Sequence, residues 1–375
     1  MSRKLCDEAA YRAPLVAVAA HGLPGTTREL PAGPLAEPDW AGVLDGAGKH
    51  RLTGLLAAAI TSGALPATSD QARQARAVHR TAQLRVLTLE HELVAIVDLL
   101  AGAGIDTRVL KGSALAHLDY ADPVLRAYHD IDILLRPADI DRAVAKLSAA
   151  AFTRTLAEPR PGFDRRFDKG MTLRPSANYE LDLHRTFVLG PWGRLVSIDD
   201  LWDAGQELTV AGRPLRALSR ANRFLHACYH AALGDWPLRL GSLRDVAEML
   251  RTVDEGEVRR IAKDWGVEAL VAAAVADTQR LLGIASWSWV DSFVPSRREE
   301  AWLGLHTRTD KTFSAQAVAT LRVLRWRDKP AYLRALVLPD STYTSDRHSS
   351  AAHRLAYAVK EVRRGTRRPD CTDRY

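Results

Sequence analysis

The feature that most constrains this chain is a pair of aspartates one residue apart, Asp130-Ile131-Asp132, inside the apolar run DIDILL. In a β-strand, residues i and i+2 point to the same side, so the two carboxylates stand about 6–7 Å apart on one face. Like charges held that close in a partly buried place repel, and a cation removes the cost. Mg2+ suits such a place because it prefers carboxylate and phosphate oxygens. The whole stretch from Ile105 to Leu135 reads as strand, Gly-Ser turn, helix, loop and strand. Gly112-Ser113 then lie where a strand hands over to a helix, and the free backbone N–H groups of such a turn can hold a phosphate. A phosphate cradle beside paired carboxylates is the apparatus of phosphoryl or nucleotidyl transfer.

A third acidic position comes from the segment Asn178 to Phe187, which alternates cleanly. Tyr179, Leu181, Leu183 and Arg185 fall on one face, and Glu180, Asp182, His184 and Thr186 on the other. A two-ion site needs more than two carboxylates, and Asp182 supplies the third. Glu180 and His184 share its face, and either can support or replace it. Lys111, directly before the turn, either reaches a phosphate or packs its stem. Arg126 either neutralises a triphosphate or orders the loop before Asp130. His226 and His230 have the i, i+4 spacing that can ligate a metal. With no adjacent Glu and no third ligand, packing against the nucleotide-binding part is the favoured reading. Arg244-Asp245 reads as an exposed or interdomain pair, with substrate binding as the lesser alternative.

Composition bounds the rest. The chain has 375 residues, of which 47 % are hydrophobic; this allows two or three domains with a sizeable core. No apolar run reaches the roughly 18 residues of a membrane span. Asp7 and Glu8 interrupt the N-terminal stretch and argue against a signal peptide. Cys6, Cys228 and Cys371 are far apart and form neither a disulfide framework nor a zinc spacing, so a cytoplasmic setting is expected. The net charge of +7 is mild over this length. A nucleic-acid partner is possible but not favoured, while a nucleoside triphosphate also gains from positive surroundings.

Taken together, LKGSAL, R-x-x-x-DIDILL, ELDLHRTF, FLHACYH and LRDVAEML resemble a bacterial family of uncharacterised nucleotidyltransferases in the DNA polymerase-β-like superfamily. The likeness runs from roughly Val94 to Leu250. The superfamily signature falls on Gly112 and Ser113, on Asp130 and Asp132, and on Asp182. Asp130 follows Ser113 by seventeen residues, a longer interval than in many superfamily members. The resemblance implies an α+β fold: a small mixed sheet flanked by helices, then a mostly helical domain closing over the nucleotide. It implies two Mg2+ ions on Asp130, Asp132 and Asp182, with Asp182 on the acceptor side. The Gly112-Ser113 amides and the Ser113 hydroxyl would take the β- and γ-phosphates, and Lys111, Arg126 and His184 are further candidates for nucleotide contact. The implied reaction moves an NMP, AMP from ATP foremost, onto a small molecule or peptide and releases pyrophosphate. Two rivals stand beside it: a non-catalytic nucleotide-binding or antitoxin-like interaction protein, and an RNA-directed nucleotidyltransferase using the basic tail.

The expected organisation is a loosely structured lead-in (1–38), N-terminal helices packing on the core (39–101), the nucleotidyltransferase core (102–208), a helical domain (209–338) and a basic, partly disordered tail (339–375). A long helix from Asp70 to Ala101 should end at Gly102 and Gly104. Pro137 should open the next helix, and Phe163 to Leu173 reads as a poorly alternating strand. Glu207 to Leu218 should form a hairpin turning at Gly212, with Ser219 capping the helix after it.

Overall fold

The alternation around Asp182 sets the middle of a sheet. The computed structural model describes residues 12–177, 179–203, 205–234, 238–285, 287–306, 313–340 and Tyr343. In it β2 (Asp130–Leu135) and β5 (Glu180–His184) run parallel as neighbours, with Asp132 opposite Asp182.

In chain order the described residues begin with four helices: α1 (Ala13–Ala20), α2 (Glu37–Lys49), α3 (Thr53–Thr61) and the long α4 (Ser69–Ala101). Then follow β1 (Thr107–Val109), α5 (Lys111–Leu118), β2, α6 (Ile140–Ala149), β3 (Thr153–Arg154), α7 (Phe163–Arg166), β4 (Gly170–Arg174) and β5. The hairpin β6 (Gln206–Val210) and β7 (Arg213–Ala217) leads into α8 (Arg220–Tyr229), α9 (Leu240–Leu250), α10 (Glu255–Trp265) and α11 (Glu268–Leu282). Last are α12 (Ser288–Ser292), α13 (Arg297–Gly304), α14 (Phe313–Val323) and α15 (Lys329–Val337). Among the described residues, seven strands form one mixed sheet in the order β3-β4-β5-β2-β1-β7-β6. The β2–β5 and β1–β7 pairs are parallel, and the other neighbours antiparallel. This is the α+β architecture expected. Among the described residues, no helix is long and apolar enough to cross a membrane.

Strand alternation gives the sheet two different faces. Ile131, Ile133, Leu135, Leu181 and Leu183 pack with Leu89, Leu93, Ile96 and Leu100 of α4 and with Ile140, Ala143 and Leu147 of α6. The opposite face carries Asp130, Asp132, Asp182 and His184 and looks toward the helical part, where Leu110, Leu115 and Leu134 join the second core.

Several sequence expectations hold locally. Thr68 begins α4 with a capping box to Gln71, and Gly102 ends it. Ala211 and Gly212 both have positive φ at the β6–β7 turn, the tight geometry a two-residue hairpin demands. The Ser219 hydroxyl accepts from the Asn222 amide.

Tertiary packing departs from the expectations elsewhere. The lead-in is not loose from Ala13 on: α1 is buried, and its Leu15 and Val18 share a core with α9 and α11. α2 and α3 pack chiefly with α1 and α4 rather than on the sheet, and through them Trp40, Val43, Leu55 and Leu56 belong to the same core as Leu225, Leu243 and Leu270. The boundary expected at 208/209 cuts through the β6–β7 hairpin, which belongs to the sheet. Phe163–Arg166 is a helical turn, because Phe163 and Phe167 at i, i+4 both pack against Tyr332 of α15. α6 begins at Ile140, not at Pro137. The basic tail beyond Tyr343 lies outside the described residues.

Buried ion pairs tie the helical part to the sheet. Arg223 of α8 grips both oxygens of Asp119 at 2.9 Å each. Arg126, before β2, grips both oxygens of Asp245 on α9 at 2.7 and 2.8 Å. Arg244-Asp245 is therefore no exposed pair: both are buried, and Arg244 donates instead to the carbonyls of Ala19 and His21. Removing one member of a buried pair strands the other charge, so Asp245→Ala should cost about 3–5 kcal/mol in urea unfolding, and Arg126→Leu/Asp245→Leu together markedly less than the single change.

Candidate active site

Asp132 is the centre of the polar face. Its side chain is 1 % exposed. One oxygen, Oδ1, accepts from Lys111 Nζ at 2.7 Å and from His184 Nε2 at 2.7 Å. Burial alone would raise its pKa, but Lys111 and His184 outweigh burial and hold the carboxyl well below the usual carboxylate range. Burial pulls the Lys111 ammonium down, while Asp132, Asp130 and Asp182 push it up, and the net direction is up. The other oxygen, Asp132 Oδ2, is buried with no protein partner. A buried carboxylate oxygen left unmatched is costly, and a cation answers it.

Asp182 lies across the β2–β5 ladder. Its Oδ1 accepts from Thr172 of β4 at 2.5 Å, and Oδ2 faces Lys169 Nζ at 3.8 Å and His184 Nε2 at 4.0 Å. Asp132, Asp182 and His184 each offer a ligand atom within 4.8 Å of the others. Asp130 is not in that cluster. It shares the face but sits at the rim, half-buried, with Arg51 at 3.7 Å. The expected gathering of Asp130, Asp132 and Asp182 is thus replaced at short range by Asp132, Asp182 and His184. The carboxylate oxygens suit Mg2+. His184 is a poorer ligand for that ion, and its Nε2 is already donating to Asp132, so it orients the carboxylate. Glu180, one step along the strand, is bound by Arg174.

The Gly-Ser element has shifted roles. Both residues lie inside the first turn of α5, and Lys111 starts it with φ +35, a left-handed value that strains a side-chain-bearing residue. A Cβ at Gly112 would lie 2.9 Å from the Tyr128 ring, so only glycine lets the turn pack there. The Ser113 hydroxyl is 2.9 Å from Tyr128 Oη, which donates to buried Glu90 at 2.8 Å, and His117 meets the same carboxylate. The hydroxyl is engaged with this network. Arg126 also departs from its nucleotide reading: besides Asp245 it donates to the Gly112 carbonyl at 3.0 Å.

His226 stacks on Phe187 with ring centroids 4.4 Å apart and meets the edge of His184 at 6.5 Å. Burial and then the Lys111 charge hold His226 and His230 well below the ordinary imidazole pKa, so both are neutral. With Lys111 they line a cavity of about 10 Å3, room for roughly one water. Sequence reasoning missed Tyr128, Glu90, Thr172 and Lys169. None of them carried a signal in the sequence, since each is brought in by the packing of distant segments.

Residues 36–283 match the family described as uncharacterised nucleotidyltransferase. The chain belongs to this family. It is thereby a transferase of the nucleotidyl class. No curated protein matches it. Among solved structures, the family member is similar to ANT(2'')-Ia in complex with adenylyl-2''-tobramycin, with 16 % identity over 48 % of this chain and 96 % of that one, TM-score 0.35. It is also similar to the lincosamide antibiotic adenylyltransferase LnuA bound to lincomycin, with 17 % identity over 44 % and 97 %, TM-score 0.32. A third is an antigenic nucleotidyltransferase-like protein from Paracoccidioides brasiliensis, with 14 % identity over 56 % and 99 %, TM-score 0.33. Likeness at this level says nothing of donor or acceptor.

The place of Ser113 in this nucleotidyltransferase is directly testable. Ser113→Ala should cost about 1 kcal/mol in thermal unfolding, a lost neutral hydrogen bond, and leave ATP affinity within about two-fold; a loss near ten-fold would return the hydroxyl to the phosphates.

Proposed function

We propose that this chain is a Mg2+-dependent nucleotidyltransferase that moves an NMP, AMP from ATP foremost, onto a hydroxyl or similar group of a small molecule or peptide, with pyrophosphate leaving. The observation that carries the reading is the β2–β5 register. It sets Asp132 against Asp182 on one face, with Asp130 in line and Asp132 Oδ2 unmatched. Asp130, Asp132 and Asp182 would hold the ions. Mg2+, when bound, supplies charge stabilisation for the reacting phosphate and acidifies an acceptor hydroxyl.

The chain's own groups have separate tasks in this reading. His184 and Lys111 fix the Asp132 carboxylate by two hydrogen bonds to one oxygen, which leaves the other oxygen for a cation. Thr172 holds one oxygen of Asp182 in the same way, and Asp182 would help to take the acceptor proton. Gly112 gives the first turn of α5 its close seat on Tyr128, and the N–H groups of that turn are the supports for phosphate. Lys111, whose stem is flexible, would be a second support for phosphate.

The non-catalytic reading has one observation in its favour: Asp132 already has two positive or polar neighbours on one oxygen, which lowers its need for a metal. The RNA reading rests on a tail outside the described residues. One assay separates the first two. With ATP, Mg2+ and a panel of hydroxylated acceptors, pyrophosphate release is expected, and Asp132→Asn or Asp182→Asn should lower it at least about 1000-fold with the fold intact by circular dichroism. EDTA should stop it and Mg2+ restore it. ATP binding with no release across the panel favours the non-catalytic protein.

A further inference from the structure

From Leu89 onward the buried residues of α4 are apolar except for Glu90, a carboxylate only 8 % exposed. A carboxylate out of water is costly unless its oxygens are answered. The groups that answer this one come from the site. Oε1 accepts from Tyr128 Oη at 2.8 Å and lies 2.7 Å from His117 Nε2. Tyr128 stands two residues before Asp130, and His117 is in the last turn of α5.

The bonds have one polarity. A phenol has a single hydrogen. Tyr128 spends its own on Glu90, so the 2.9 Å contact with Ser113 Oγ is a bond that the serine donates. A carboxylate accepts, so His117 Nε2 carries the hydrogen of the other bond. Ser113, Tyr128 and His117 thus all direct their hydrogens toward one oxygen of α4.

Tyr128 also sets the backbone through its ring. A Cβ at Gly112 would lie 2.9 Å from that ring. The Arg126 guanidinium lies over the same ring at 6.0 Å and donates to the Gly112 carbonyl at 3.0 Å. α5 is therefore held at its first turn by Tyr128 and at its last turn by His117, and both lead to Glu90. Leu89 and Leu93, beside Glu90 on α4, are each 1 % exposed in the core against the apolar face of the sheet. This anchor is rooted in the sheet core, whereas Arg126 is tied to the helical part.

We propose that Glu90 is a positioning residue: from α4 it sets the first turn of α5, and with it the N–H groups that support the nucleotide phosphates. The proposal deepens the transferase reading and rests on it for nucleotide binding at this turn. Glu90 acts through Tyr128 and His117 and not by contact with the nucleotide. Ser113 is only the end of the chain, so losing its hydroxyl leaves the Tyr128 ring pinned, whereas losing Glu90 releases the ring.

The test is calorimetric titration of the full chain with ATP and Mg2+, beside the pyrophosphate-release assay. Glu90→Gln keeps an oxygen that accepts from Tyr128 and should bind ATP within about three-fold of the wild type. Glu90→Leu removes the acceptor and should weaken ATP about ten-fold or more, since the phosphate support is no longer pre-organised. Tyr128→Phe keeps the ring and removes its bond to α4. It should weaken ATP in the same direction, about five-fold, and add little to Glu90→Leu in the double variant. With an acceptor that turns over, the loss in Glu90→Leu should fall on the KM for ATP and leave the KM for the acceptor unchanged; a general loosening of the fold moves both. Wild-type affinity in folded Glu90→Leu, a Glu90→Gln as weak as Glu90→Leu, or wild-type affinity in folded Tyr128→Phe overturns the positioning role, and the last decides the matter where Glu90→Leu does not fold. ATP bound in this Glu90-dependent way with no pyrophosphate release from any acceptor keeps the role and removes the transferase reading. Release that Glu90→Leu leaves unchanged, KM for ATP included, keeps the transferase and removes the role. No binding of any NTP by the wild type removes both.

Discussion

The bidentate pair between Arg126 and Asp245 holds the site together. It is buried, it reaches from the loop before β2 to α9, and the same guanidinium takes the Gly112 carbonyl. Burial opposes the charge on Arg126 and Asp245 restores it, with the net direction of the pKa upward. Desolvating two charges is expensive, so such a pair adds little stability over an apolar substitute. What it adds is position. The Gly-Ser turn, the approach to the aspartate strand and the helical part are fixed relative to one another by directional bonds, where apolar contacts alone allow sliding.

With that frame in place, the polar face works by competition for one carboxylate. Asp132 keeps one oxygen busy with Lys111 and His184 and the other idle. Lys111 reaches it from a strained backbone, and Gly170 on β4 allows the neighbouring strand to close in, since a Cβ there would lie 1.9 Å from the Leu183 carbonyl oxygen. Strain and close approach concentrate around the same few residues, as they do where a fold is shaped for chemistry rather than for stability alone.

Much of the local structure was legible in the residues. The period-two pattern of Glu180 to His184 placed β5 and its polar face correctly, because one face of the strand is core. Asp130-Ile131-Asp132, the glycines after α4, Gly212 and Ser219 each act over a few residues, so their signals survive without tertiary context. Partnerships between distant segments were not legible. Whether Asp130 or His184 stands nearest Asp182 depends on the stagger of β2 against β5. Ser113 turned to Tyr128 and Glu90, and Arg126 to Asp245, because each polar group is satisfied by whatever the packing brings within reach. Phe163 and Phe167 looked like strand residues until Tyr332, more than a hundred and sixty positions on, stacked against them.

The pooling of α1–α3 with α8–α11 in one core has a consequence for how the chain comes into being. During synthesis α1–α3 can pack on one another and on α4, but the sides of α1 that meet α9 and α11 stay uncovered until after the entire sheet is made. Closing so long a loop is slow, because chain entropy is lost well before the contacts repay it. In the interval those sides are open to wrong partners, and a chaperone is the natural companion of the nascent chain.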